Sequence, residues 1–192
     1  MTAMLCQINT EDLSTRGEAI CQMLRPLTGQ TRLAYNHNTS RSEVMIGVHS
    51  GPRPELGITD WRFSTIVRGV RAGYHERWIA VDEKRLQFYM ERAYLHLYRS
   101  RSQNADEVEV LALHCDPNEP DDTGALKHAL YKRGPHIHVT AAEQPFPHSH
   151  FALNRTNIDD VLGSVKSLHE AVASGILLIR DQVLDLINER GI

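Results

Sequence analysis

The chain has little cysteine, no long apolar run and no dominant charge, and each shortage removes a class of protein. Three cysteines in 192 residues, Cys6, Cys21 and Cys115, stand far apart with no paired CxxC. That usage excludes a disulfide framework and predicts reduced thiols and a cytoplasmic setting. The longest late apolar run, Ile176 to Ile179, is far below the roughly 18 residues a spanning helix needs, so no membrane partner is expected. Met1 to Asn9 has no basic region followed by an apolar stretch, so no secretory leader is expected either. There is no glycine-rich loop of the kind that cradles nucleotide phosphates, no internal repeat and no low-complexity tract.

Charge of one sign is also missing overall: 21 Lys+Arg against 24 Asp+Glu give −3. The distribution is uneven. Residues 53–101 hold ten Lys/Arg and six Asp/Glu, while 102–123 hold seven acids and no Lys or Arg. A modest basic region beside an acidic one does not make a general nucleic-acid binder. At 41% hydrophobic and 23% charged the chain is an ordinary globular sequence with enough residues to bury a core.

Local patterns predict an α+β protein. Asn9 can cap a helix with Glu11 and Asp12 in its first turn, and Pro26 stops it. Alternating segments at 31–38, 43–49, 61–71 and 76–82 predict strands of an antiparallel meander. Residues 84–100 predict a central helix, because Leu86, Met90, Ala93, Tyr94, Leu97 and Tyr98 recur at helical spacing. Tyr89, Tyr94 and Tyr98 then fall at a core edge. Arg85, Arg92 and Arg99, seven apart, form a stripe on that helix that can meet substrate phosphates. Residues 107–114 predict a strand, 125–132 a short helix, and 135–140 and 150–153 two more strands. Asn157 caps a helical hairpin, or one bent helix, jointed at Ala173-Ser174-Gly175. The expected organisation is an α+β core over 1–155 and a C-terminal hairpin over 156–192. That hairpin packs on the core or, through 157–190, forms a homo-oligomer.

What the sequence has in excess is histidine. Of 11 histidines, four fall within fifteen residues: His136, His138, His148 and His150. In a strand, side chains alternate, so His136, His138 and Thr140 share one face. The same parity joins His148 and His150. Pairing 138 with 150 and 140 with 148 brings the imidazoles together. Imidazoles two apart on strands are preoriented ligands for a divalent transition metal, zinc first among them, and an open position on the ion activates water. Glu143 supplies a fourth ligand or a base, and His114, Cys115 and Asp116, at the end of another strand, add a ligand or groups that orient the ligands. Cys115 could also serve as a nucleophile but carries no local signature of one, and reads first as a buried, inert thiol.

His138-x-Thr140 matches one half of a two-repeat pattern of phosphoesterases, and His136-x-His138 with Glu143 matches one fragment of the cupin motif. Phe151 and Ala152 follow His150 where the second phosphoesterase half should stand, and cupins are nearly all strand, so no family is assigned. Three functional readings follow. The first is a metal-dependent hydrolase acting on a phosphoester or nucleic-acid substrate. The second uses two of the histidines, without metal, as general base and acid. The third is a non-catalytic assembly protein that dimerises through its C-terminal helices, its histidines structural or at an interface.

Overall fold

The computed structural model describes residues 5–29, 32–38, 42–49, 61–100, 107–118, 133–139, 149–153 and 158–190. They form one antiparallel sheet with helices at both ends of the chain. Strand β1 (Gln7–Asn9) leads into α1 (Thr10–Leu24), which begins as expected: the Asn9 side chain accepts a hydrogen bond from the Asp12 amide. The remaining strands are β2 (Arg32–Asn38), β3 (Glu43–His49), β4 (Phe63–Ser64), β5 (Val70–Ala80), β6 (Gln87–Ser100), β7 (Glu107–Cys115), β8 (His136–Val139) and β9 (Ser149–Ala152). Their order is β2-β3-β5-β6-β7-β8-β9, with β1 on β6 and β4 on β5.

The central helix is not there. Residues 87–100 form β6, the longest described strand, and a β-bulge explains the misleading pattern. Arg77 pairs with Arg92 but Trp78 pairs with Met90, so Glu91 is the extra residue. The bulge shifts the inward parity from Phe88 and Met90 to Ala93, Leu95 and Leu97, all buried. Met90, Ala93 and Leu97 thereby acquire the i, i+3, i+7 spacing of a helix while lying on one face of a strand. The stretch 61–71 is likewise two strands: β4 turns back into β5 through Gly69, whose φ of 80° favours glycine. The short helix expected at 125–132 lies outside the described residues.

The arginine stripe disappears with the helix. Arg85 sits in the turn before β6 at φ 54°, with its carbonyl accepting from the Thr10 hydroxyl. Arg92 lies on the sheet face away from the helices, its guanidinium over the Tyr94 ring at 5.5 Å. Arg99 has the opposite strand parity and pairs with Val70.

The C-terminal helical hairpin is present, jointed earlier than expected. Helix α2 (Ile158–Leu162) ends at Gly163, and Ser164 opens α3 (Val165–Ile179) with a reciprocal Ser164–Ser167 capping box. Residues 173–175 continue the helix without a break, and a π-helical turn (Arg180–Leu184) leads into α4 (Asp185–Arg190).

The sheet has two different faces. One packs against α1 and α3: Val44, Ile46, Val48, Trp78, Leu95, Leu97 and Leu113 meet Leu13, Ile20, Leu24, Leu168, Val172 and Ile176 in a single core. Each fully buried Leu or Ile there contributes roughly 1.5–3 kcal/mol. The other face is polar and aromatic over β5 to β8. On β3 it is covered locally by Trp61, and a Cβ on Gly47 would stand 2.4 Å from that ring, so only glycine fits. No described helix is long and apolar enough to cross a membrane.

Candidate metal centre

The polar face is built by register. Across adjacent strands run His75, Tyr94, His114 and His136, each the partner of the next. One row further along run Gly73, His96, Ala112, His138 and His150. Ala112 is buried and has the smallest side chain in that row after Gly73. The space it leaves between β6 and β8 is filled by rings that lean together. His114 lies 4.0 Å from His138 and 4.9 Å from His96, centroid to centroid, and His136 lies 4.7 Å from His138.

The potential ligand atoms of His114, His136 and His138 all lie within 4.8 Å of one another, so these three histidines could hold a metal ion. Two further features suit that role. Nδ1 of His136 is 2.9 Å from the Gly134 carbonyl. A carbonyl only accepts, so Nδ1 carries a proton, and the neutral tautomer with that proton has its lone pair on Nε2, the arrangement that fixes a metal-bound imidazole. The Nε2 atom of His114 is buried and has no hydrogen-bond partner among the described residues. Burial, followed by the neighbouring His138, His96, His136 and His75, pushes the His114 pKa down to about 2. The ring is therefore neutral at physiological pH, as a metal ligand must be.

The expected site is thus partly assembled. His136 and His138 lie together on one face, as strand parity demands. His114, expected as a ligand or a supporting group, is brought in among the potential ligands by the β7–β8 pairing. His150 is the backbone partner of His138, as anticipated, but its side chain lies outside the described part. Glu143 and His148, with the expected pairing of 140 and 148, also lie outside the described residues. Asp116 is buried and accepts from the Tyr94 hydroxyl at 2.5 Å. Cys115 is buried, donates to the Arg133 carbonyl at 3.0 Å, and burial pushes its thiol far up, so it is inert.

Sequence reasoning missed three neighbours. His75 lies in the expected meander and Tyr94 and His96 in the expected helix, where nothing marks them as partners of the cluster; only the alternation of Tyr94, His96 and Tyr98 with Ala93, Leu95 and Leu97 carries a strand signal. Nδ1 of His96 lies 2.7 Å from Glu109. His75 is pushed down to about 3, first by burial and then by His96, Arg92 and Arg62; Tyr94 meets its ring edge-on.

This shift carries a pH dependence. The folded state resists protonating His75, whereas the unfolded chain takes up that proton below about pH 6.5. Stability is therefore complete above 6.5 and declines as pH falls toward 3, by at most about 1.4 kcal/mol per pH unit for this group. In chelator-treated protein, urea unfolding at pH 7 and pH 5 should show a shallower decline for His75→Gln than for wild type. Equal declines would remove His75 from the account.

No protein-family model, curated protein or solved structure matches the chain.

Proposed function

We propose that the chain is a metal-dependent hydrolase whose His114, His136 and His138 bind one divalent transition metal. The observation that carries this reading is the convergence of three imidazoles, from adjacent strands, with ligand atoms within 4.8 Å. Three nitrogen donors without thiolate suit zinc above magnesium or calcium. Three protein ligands also leave a position for water, whose pKa a bound zinc ion lowers to about 7. A phosphoester remains the first substrate class to test, although the arginine stripe that suggested it is dispersed.

The test begins with elemental analysis of protein purified without affinity metal. About one equivalent of a transition metal is expected, together with metal-dependent cleavage of an activated phosphodiester such as bis-p-nitrophenyl phosphate. Below a tenth of an equivalent, with no uptake of added zinc, the metal reading fails. Metal without cleavage of phosphodiester or carboxylic ester probes ends the hydrolase reading alone. A second reading, a non-catalytic protein dimerising through 157–190, is favoured by the exposure of Leu177, Leu178 and Leu186 on those helices. A monomer by light scattering would remove it.

A further inference from the structure

We propose that Tyr94 is a positioning residue of the metal centre: clamped by Asp116, its ring holds the His114 imidazole in the metal-binding orientation before an ion arrives. The proposal rests on the metal-binding reading above and deepens it. Tyr94 and His114 are register partners on β6 and β7, and their rings stack at 3.8 Å with planes 17° apart. The Tyr94 hydroxyl donates to Oδ1 of Asp116 at 2.5 Å, and Asp116 is only 4% exposed. Asp116 follows His114 by two residues, just past the end of β7. Tyr94 is therefore tied twice to the segment that carries the ligand, by its ring face and by its hydroxyl.

The clamp answers a physical question. A solitary imidazole on a strand face hops between rotamers, and His114 has a particular reason to leave. Its Nε2 is buried with no hydrogen-bond partner among the described residues, a position that disfavours the ring staying where it is. A face-to-face contact with a fixed phenol ring opposes that rotation, because turning the imidazole would drive it into the ring or give up the contact. A phenol free to turn would lend little; one anchored to a buried carboxylate is a fixed surface. Groups that orient metal-bound imidazoles are worth about 10–100-fold in metal affinity, and here an aromatic face does the orienting for His114, as the Gly134 carbonyl does for His136.

Zinc affinity, measured by competition with a chromophoric chelator, and the visible spectrum of the cobalt(II) protein test this. Tyr94→Leu, which removes both stack and hydroxyl, should weaken zinc about 10–100-fold and alter the cobalt bands. Tyr94→Phe keeps the stack and should retain the band pattern with a smaller loss of affinity, matched by Asp116→Asn. A purely structural tyrosine would lower the melting temperature of Tyr94→Leu while leaving affinity and spectrum unchanged; that result overturns the proposal. Should Tyr94→Leu not fold, Phe and Asn variants with wild-type affinity overturn it instead. A wild-type protein that takes up no zinc refutes the underlying metal reading, and is distinguished from failure of the clamp because no variant is needed to see it.

Discussion

Replacing Arg16 by methionine is expected to destabilise the protein by about 3–5 kcal/mol, the usual consequence of stranding one member of a buried ion pair. Arg16 projects from α1 onto Glu76 at the centre of β5, and the Glu76 side chain is wholly inaccessible. Arg16 Nε and Nη2 donate to the two carboxylate oxygens at 2.9 and 2.6 Å, a bidentate pair. Tyr74 Oη and Trp78 Nε1 donate to the same carboxylate at 2.7 and 3.1 Å, and Arg16 Nη1 lies 3.0 Å from Nδ1 of His169 on α3. Burial works to lower the Arg16 pKa, but the charge and hydrogen bond of Glu76 overcome it and hold the guanidinium above its ordinary value.

Methionine fills much of the arginine's volume, so the loss comes from the uncompensated carboxylate rather than from a cavity. At roughly 2–4 °C per kcal/mol for a chain of this size, the melting temperature should fall by about 6–20 °C. Adding Glu76→Leu should recover only part of the loss, because Tyr74 and Trp78 then lack their acceptor. A loss below about 1 kcal/mol for Arg16→Met would show that the pair behaves like an exposed one.

The second large effect concerns the metal. Zinc binding the folded but not the unfolded chain should add about 2.7 kcal/mol at a free concentration one hundred times Kd, and about 4.1 kcal/mol at one thousand times. Calorimetry with buffered zinc should therefore show a melting temperature that climbs with the logarithm of free metal. His138→Ala should flatten that dependence, since His138 approaches both His114 and His136, at 4.0 and 4.7 Å between ring centroids. Its melting temperature without metal is a separate quantity, set by lost packing at a buried position. A zinc response preserved in His138→Ala would place the binding site elsewhere.

Much of this fold was legible locally. Asn9 announced the start of α1, the alternation at 43–49 delimited β3, and the pairing of His138 with His150 followed from strand parity across the 141–147 stretch. The largest misreading, β6 as a helix, came from one bulged residue. An extra residue at Glu91 converts a period of two into spacings of two and three, which over a short window imitate a helix. The Arg85, Arg92 and Arg99 stripe was an artefact of the same misreading. The Arg16–Glu76 pair had no local signal, because its partners are 60 residues apart and nothing in either neighbourhood requires the other.

The sequence by itself determined that His136 and His138 share a face, because alternation along a strand is a property of the backbone and needs no partner. It also determined that an unusual density of histidine would lie near 136–150. Only the tertiary structure decided that β7 stands between β6 and β8, and that choice brings His114 to His136 and Tyr94 to His114. Strand neighbours are selected by burial of the opposite face against α1 and α3, where Leu95, Leu97 and Leu113 enter the core. The polar face is thus arranged by apolar packing on the far side of the same sheet.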